Sequence, residues 1–191
     1  MKNKKRKGIS LLRFMIFFVC LFLLISSSGA FAQGGMLMGA DYSGDDLSGH
    51  GFQKANLMGA TLIKTILREA NFTMATLIMA NFEGAVLADA DFQKADLWGA
   101  NFRDADLKGV NFEKANLWNA NFENADLRNT NLDIELIRNA KTLYNAKLEP
   151  GFRDLVKTEC GYLLGKPQPI NWWKKEAVQA DAAAPLNLPV Q

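Results

Sequence analysis

The chain has 191 residues, with 22 Lys+Arg, 20 Asp+Glu and a formal net charge of +2. Six basic residues and no acidic ones lie before residue 14, so the rest of the chain carries 16 − 20 = −4. This balance excludes a basic nucleic-acid-binding surface as the main feature of the chain. No internal disulfide is expected, because Cys20 lies in the N-terminal segment and Cys160 then has no partner.

The N-terminal residues 1–32 have the layout of a secretory signal peptide. A basic start is followed by an apolar run from Leu11 to Ile25, interrupted by Arg13, and by the small-x-small site Ala30-Phe31-Ala32. The run is short for a membrane span. We therefore expect cleavage near Ala32, an exported protein that is periplasmic or extracellular, and membrane contact only through the signal peptide. An uncleaved signal anchor is the alternative.

A period of five residues dominates residues 36–134. Ala usually lies two residues before each large apolar residue, and Asn or Asp usually lies one before. The centres of the repeat are Tyr42, Leu47, Phe52, Leu57, Leu62, Leu67, Phe72, Leu77, Phe82, Leu87, Phe92, Leu97, Phe102, Leu107, Phe112, Leu117, Phe122, Leu127 and Leu132. Neither an α-helix nor one straight strand keeps such a period on one face. The chain must turn between repeats, with Ala and the centre inside and Asn or Asp outside.

The order of the centres predicts four repeats per coil. Phe and Leu alternate without a break from Phe72 to Phe122, and Trp98 returns after 20 residues as Trp118. Four sides stack Phe on Phe and Leu on Leu, whereas three would mix them. We expect a core ladder of Phe72, Phe92, Phe112, Phe82, Phe102, Phe122, Leu77, Leu97, Leu117, Leu87, Leu107 and Leu127.

The segment "ADLWGANFRDADLKGVNFEKANLWNANFENADL" resembles the A(D/N)LxX signature of the pentapeptide-repeat family. The resemblance implies an all-β solenoid, a right-handed quadrilateral β-helix of nearly five coils over residues 36–134. Asp45 and His50 occupy positions where the repeat has Ala, so we expect a distorted first coil.

The polar residues predict no enzyme. Asp41, Asp45, Asp46 and His50 include oxygen and imidazole groups that suit a metal, but the sequence favours a solvated terminal coil there, and we expect no metal. One histidine leaves little for acid–base catalysis. The many Asn and Asp side chains are expected to cap turns. No catalytic residue and no cofactor is therefore expected.

The period fails after Leu132, and residues 135–165 are expected to form a C-terminal cap with a short α-helix. Leu143 and Leu148 keep the repeat but are displaced by one residue. Pro150 suits the first turn of the helix, with Phe152, Leu155 and Val156 on one face and Gly161 at its end. Residues 166–191 are expected to be a linker and a partly disordered tail.

One outward column of the predicted coil is apolar. It contains the residue after each centre on one side, namely Met38, Met58, Ile78, Trp98 and Trp118. A contiguous apolar row is unusual on a surface, so we interpret it as a candidate protein-contact column. Its partner is expected to be another protein, a second copy, or the chain's own tail through Trp172 and Trp173. A half-buried ladder without a partner is the alternative.

Two functions follow from these patterns. The first is an exported, non-enzymatic scaffold that binds protein through a flat face. The second follows from the resemblance, because some pentapeptide-repeat proteins bind DNA gyrase by imitating duplex DNA. Export argues against that cytoplasmic target, and no nucleic acid is expected as a partner. Residues 36–134 contain 8 basic and 14 acidic residues, a net charge of 8 − 14 = −6, with lysines among the acids.

Overall fold

The computed structural model describes residues 36–167; the predicted signal peptide and residues 168–191 lie outside this range. Fifteen of its 17 isolated parallel bridges join residues 20 apart, from Met36–Asn56 to Asp106–Asp126. Since 20 residues hold four pentapeptides, the chain winds as a four-sided coil. Within residues 36–167, a pentapeptide pairs with its neighbouring coil through a single bridge residue and not through a longer strand.

The four sides can be numbered from the first described residue. Side 1 consists of residues 36–40, 56–60, 76–80, 96–100 and 116–120, and sides 2, 3 and 4 follow in five-residue steps. Residues at the same place in successive coils are hydrogen-bonded along the backbone, as when Leu57 N–H donates to Thr76 C=O at 2.8 Å. Each side is therefore a ladder of equivalent pentapeptides.

Every pentapeptide from residues 36–40 to residues 121–125 ends in a tight turn. The amide three residues after a centre donates to the carbonyl of that centre, as from Ala60 to Leu57 at 3.0 Å. The residue two after the centre has a positive φ, for example 58° at Lys54 and 65° at Gly59. This is the conformation of the third residue of a type II turn. Repetition of the turn at each centre makes the corners of the coil.

The interior is filled by the centres and the Ala residues. All twelve residues of the expected core ladder are buried, with at most 2% of each residue exposed. Phenylalanines one coil apart stack, as Phe72 and Phe92 do with centroids 4.8 Å apart and planes within 4°. Phenylalanines of sides 2 and 4 meet edge to face, as Phe82 and Phe92 do at 5.8 Å and 89°. Both geometries suit the aromatic quadrupole.

The expectation of a distorted first coil was wrong. Asp41, Asp46 and Gly51 pair in register with the next coil, and the amides of Asp45 and His50 close normal turns to Tyr42 and Leu47. Asp45 is exposed and His50 is half-buried, whereas Ala at the same place in later coils is buried. A polar side chain is tolerated because the first described coil has a coil against only one of its faces in the described residues.

The coil changes register near its C-terminal end. Helix α1, Ile134–Ile137, begins with Asp133 as N-cap, whose side chain accepts from the Leu136 amide at 2.8 Å. After it the bridges join residues 21 apart, Asn121–Thr142 and Asp126–Lys147. The displaced centres Leu143 and Leu148 are both buried, as the one-residue slip in the sequence predicts.

Helix α2, Pro150–Glu159, and a 3₁₀ helix, Gly161–Leu164, cover the end of the coil. Val156, Cys160 and Leu163 are buried there, and the Leu143 amide donates to the Leu163 carbonyl at 2.7 Å. No helix within residues 36–167 is long and apolar enough to cross a membrane.

Two details of the predicted helix were wrong. Leu155 was expected on the buried face but is 46% exposed. The helix packs against the core through the i, i+4 row of Phe152, Val156 and Cys160. Leu155 lies on the neighbouring row. Gly161 does not end the helix; Cys160 is the C-cap, and Gly161 begins the 3₁₀ helix.

Candidate functional site

The candidate contact column lies at the corner that follows each centre of side 1. In Trp98 the amide donates to the Asp96 side chain at 3.2 Å, and the carbonyl accepts from the Met79 amide at 2.8 Å. Trp118 repeats both bonds, to the Asn116 side chain at 3.2 Å and from the Gly99 amide at 2.8 Å. The backbone is thus held on both sides, and the indole side chains project from a fixed frame.

Asparagine and aspartate side chains reinforce this frame. The Asp96 Oδ1 atom that caps the Trp98 turn also accepts from Asn116 Nδ2 at 2.8 Å. On side 2, Asn121 Nδ2 donates to Asn101 Oδ1 at 3.0 Å, and Asn101 Nδ2 to Asn81 Oδ1 at 3.0 Å. These side chains cap turns and link coils, which is the role that the sequence predicted for them.

Side 1 is the most apolar surface of the described chain. Trp98 is 41% exposed and Trp118 is 55% exposed, while Ile78 is half-buried. Ten large hydrophobic residues are exposed within residues 36–167, and six belong to side 1: Met36, Met38, Met58, Met79, Trp98 and Trp118. Four steps of about 4.8 Å separate Met38 from Trp118, so the row is about 19 Å long.

Met79 belongs to this surface and was missed from the sequence. It lies two residues after its centre, at a positive φ of 58°, and its sulfur lies 2.6 Å from the place where a Cβ on Gly99 would be. Glycine at 99 therefore leaves room for Met79 beside Trp98. The signal was available, because the positions two after the centres of side 1 are Gly39, Gly59, Met79, Gly99 and Asn119.

Charge is almost absent from side 1. Of the 8 + 14 = 22 charged residues in 36–134, only Asp96 belongs to this side. The other sides carry the remaining 21, and eight of these form ion pairs with one another. The contrast defines a neutral apolar face on an otherwise charged solenoid.

Side 3 shows the opposite character. Asp126 accepts from Arg128 Nε at 2.9 Å and Nη2 at 2.7 Å, and Lys108 Nζ lies 3.5 Å away. The hydrogen bonds from Arg128 are the main reason that the pKa of Asp126 falls from 3.8 to about 2. The acidic and basic side chains of this network pair with one another, which leaves little unpaired charge for a ligand.

A shallow groove of about 310 Å³ runs along the corner between sides 1 and 2. Its walls combine one apolar residue with amides and charges of both signs. They are Met79, Glu83, Gly99, Asn101, Arg103, Asn119, Asn121, Glu123 and Lys141. The groove therefore borders the apolar face with hydrogen-bonding groups, an arrangement typical of the polar rim around a protein contact.

Two of the residues considered for a metal, Asp41 and Asp46, cap turns. Asp41 Oδ1 accepts from the Ser43 amide at 2.9 Å, and Asp46 Oδ1 accepts from the Ser48 amide at 3.1 Å and hydroxyl at 2.7 Å. The hydrogen bonds from Ser48 lower the pKa of Asp46. His50 Nδ1 lies 3.2 Å from the Ser48 carbonyl. These contacts give the polar cluster a structural role in the first coil.

The fold and surface together define a class of protein, a tandem-repeat solenoid in which one side differs from the other three. The family model for pentapeptide repeats matches residues 37–73, 55–87, 65–104 and 105–133, with eight copies. These matches span 37–133, about half of the 191 residues. The chain belongs to the pentapeptide-repeat family.

Solved structures of the same family are similar to this chain. One is a pentapeptide repeat protein from the thylakoid lumen of Arabidopsis thaliana, with 32% identity, 69% of this chain and 83% of that chain covered, and a TM-score of 0.38. Another, from Nostoc PCC 7120, has 27% identity, coverage of 57% and 84%, and a TM-score of 0.46. The plasmid-mediated fluoroquinolone resistance protein QnrB1 has 20% identity, coverage of 65% and 83%, and a TM-score of 0.35. No curated protein matches the chain.

Proposed function

We propose that this protein is an exported, non-enzymatic scaffold that binds another protein through side 1. The observation that carries the proposal is the concentration of exposed Met and Trp residues on the one side that has a single charged residue. Large contiguous apolar surfaces mark interaction sites, and Trp and Met are enriched in them. The right-handed sense of the coil, which the family resemblance implies, is part of this proposal.

The rigid backbone supports binding rather than catalysis. The corners at Met58, Trp98 and Trp118 are each held by a turn hydrogen bond, a capping side chain and the neighbouring coil, so little order is gained when a partner binds. A surface that is already ordered avoids part of the entropic cost of association. Export is supported by the basic start, the apolar run and the Ala30-Phe31-Ala32 site.

DNA mimicry receives less support from the surface. Side 3 carries five acids, which do not form one continuous column, and it also carries Lys108 and Arg128, both paired with Asp126. A duplex mimic requires rows of uncompensated negative charge. Side 1 has no such row, and we therefore retain protein binding through the apolar side as the proposed function.

Photo-crosslinking from defined positions tests the proposal. A benzoylphenylalanine replaces Trp98 in the full chain, and in the control it replaces Arg68, which is exposed at the same turn position on side 3. The protein recovered from the cell envelope should begin at Gln33. We expect position 98 to give discrete products with another envelope protein, reduced when Trp118 is changed to Gln.

The control at position 68 shows whether the crosslinked products depend on side 1. Position 68 should give none of these products, and the Trp118→Gln chain should keep its unfolding midpoint, because that side chain is half exposed. Identical products from positions 98 and 68 would contradict a contact through side 1. An uncleaved chain confined to the cytoplasm would contradict export.

A further inference from the structure

We propose that Met36, Met38 and Met58 form a binding site for the soft monovalent metal ion Cu(I). The three methionines lie at the N-terminal end of side 1, in the first two described coils. Met36 is 81% exposed, Met38 is 51% exposed and Met58 is 36% exposed. An exposed side chain contributes little to folding through burial, so the three sulfur atoms are available to a ligand.

The pairing of the coils brings the three side chains to one surface. Met36 pairs with Asn56 of the next coil. The Gly39 amide donates to the Met58 carbonyl at 2.9 Å, so Met38 and Met58 are neighbours in one column. Met36 and Met38 are two residues apart on extended backbone and point to the same face. The three methionines therefore occupy three corners of a rectangle, and Asn56 occupies the fourth.

The dimensions of this rectangle suit one metal ion. Neighbouring coils lie about 4.8 Å apart, and residues i and i+2 of an extended chain lie about 6.6 Å apart. The point midway between Met36 and Met58 is therefore about 4 Å from the Cβ atoms of all three methionines. Three bonds, Cβ–Cγ, Cγ–Sδ and Sδ–metal, span that distance, and the unbranched methionine side chain rotates freely enough to direct its sulfur there.

The residues around the rectangle leave the sulfur atoms room to converge. Gly39 and Gly59 follow Met38 and Met58 at the corner of the coil. Apart from the adjoining residues, no atom lies within 4 Å of the place where a Cβ on either glycine would be. The Asn56 Oδ1 atom is held as the cap of the turn, because it accepts from the Met58 amide at 3.2 Å. The rectangle therefore presents three thioethers and one fixed amide.

The thioether groups select the kind of metal. They are soft, polarisable and uncharged ligands, which suit Cu(I) and its analogue Ag(I), whereas Mg²⁺ and Ca²⁺ prefer oxygen. A monovalent ion also brings only one positive charge to a site without a carboxylate; Asp96, the one charged residue of side 1, lies two coils beyond Asn56. The carboxylate and imidazole groups, on which the expectation of no metal rested, take no part in this site.

Two other exposed methionines provide matched controls. Met74 lies on side 4, and Met79 lies on side 1 one coil beyond Met58. The Met79 sulfur lies beside Gly99 of the following coil, which directs it away from Met58. Each therefore offers a single thioether with similar access to solvent but without the grouping.

Methyl NMR of the full chain tests the site with Ag(I) as the probe. The methionine methyl groups are labelled with ¹³C, and the chain is titrated with silver nitrate in a buffer without chloride. We expect the methyl signals of Met36, Met38 and Met58 to shift together along one curve. The signals of Met74 and Met79 should require roughly 100-fold more Ag(I), because ligands held together by the fold act at a high effective concentration.

A conservative variant shows whether the three methionines act as one set of ligands. Met58→Leu keeps the volume and the apolar surface, so the unfolding midpoint should stay unchanged. The shifts of Met36 and Met38 should nevertheless require roughly tenfold more Ag(I). Met74→Leu should leave all three curves as they were. Silver bound by the thiols of Cys20 and Cys160 does not affect the comparison, because it leaves these methyl signals in place.

Three results would each overturn the inference. The first is a separate curve for each of the three methionines, or a common curve with the midpoint of Met74 and Met79. The second is an unchanged response of Met36 and Met38 in the Met58→Leu chain. The third is an equal response to Zn²⁺, which takes thiolate, imidazole and carboxylate ligands, because the site would then not select a soft ion.

The metal site and the proposed protein contact can be tested separately. Trp98 lies two coils, about 10 Å, beyond Met58. The chain with Met38→Leu and Met58→Leu should therefore lose the common silver response and keep the crosslinked products from position 98. If no envelope protein is captured while the three methyl signals shift together, only the proposed function is wrong. If capture is retained but no common shift occurs, only the metal site is wrong.

Discussion

Asp126 illustrates how single residues adapt to the repeat. It occupies the outward Asn or Asp position, yet its side chain is only 9% exposed because Arg128, Lys108 and Lys147 lie around it. An aspartate with this position in an isolated pentapeptide would be solvated. The sequence shows the acid and the cations at their positions, but only the four-sided coil brings residues 108, 126 and 147 together.

Changing Asp126 to Asn should make stability less dependent on pH. Its pKa is about 2 in the folded chain, below the ordinary 3.8, so the ion pairs stabilise the fold above about pH 4. That contribution is lost as pH falls through 2. The variant should lose roughly 2 kcal/mol at pH 7 and only about 0.5 near pH 2, measured by urea unfolding.

Asp154→Asn is the control, since Asp154 is exposed on α2. Its effect should stay within about 0.5 kcal/mol at both pH values. A loss for Asp126→Asn that is equal at pH 7 and pH 2 would indicate a packing effect instead of an ion pair.

At the scale of elements, the period made most of the fold predictable. Each pentapeptide combines the features that determine the local fold: an inward Ala, a capping Asn or Asp, an inward centre and a turn. The unbroken alternation of Phe and Leu from Phe72 to Phe122 then indicated four sides, because four sides place like centres above one another, and the 20-residue bridges agree with it. The cap was less predictable because its contacts are made between elements with no common period.

The candidate site was predictable in part for the same reason. Reading the residue after each centre identified Trp98 and Trp118, but not Met79, which lies one residue further along the corner. Its exposure depends on Gly99 in the next coil, a contact that a single column does not reveal. The expected distortion at Asp45 failed because burial of the Ala position depends on which coils lie against it.

Helix α2 should stabilise the end of the coil through one row of side chains. Val156 is fully buried, and Val156→Ala should cost about 2 kcal/mol of the free energy of unfolding through lost burial and a cavity. Leu155→Ala, one residue away and half exposed, should cost less than about 0.5 kcal/mol. Chemical unfolding of the two variants gives the comparison.

Thiol reactivity supplies a second measurement on the cap. Cys160 is buried beside Val156 in the covering layer, so Val156→Ala should also speed its modification, whereas Leu155→Ala should leave the rate unchanged. Equal losses of stability from the two variants would show that the helix packs through a different row.

At the scale of the whole molecule, the core and the outer surface repeat with different periods. From Phe72 to Phe122 the core distinguishes only Phe sides from Leu sides, which alternate, so it repeats every ten residues there. The outer surface repeats only every 20, because sides 1 and 3 have the same Leu centres and different outward residues. A deletion of ten residues therefore keeps the stacking of the interior, but it moves the residues after the deletion to the opposite side of the coil.

Two deletions of equal length use this difference. Removing residues 62–71 rotates everything after them by two sides, but Trp98 and Trp118 stay together in one column below the cap. Removing residues 102–111 places Trp98 and Trp118 on opposite sides. Both deletions keep Phe on Phe and Leu on Leu, and both shorten the solenoid by half a coil, so stability should fall by similar amounts.

Crosslinking from position 98 should therefore distinguish them. The chain without 62–71 should still capture the envelope protein, since the upper part of side 1 is intact. The chain without 102–111 should fold cooperatively but lose that product, because its apolar row is divided between two sides. Capture by both would show that one tryptophan is sufficient for binding. Loss of cooperative unfolding in the second alone would show that the outer columns, and not only the core, determine how the coils stack.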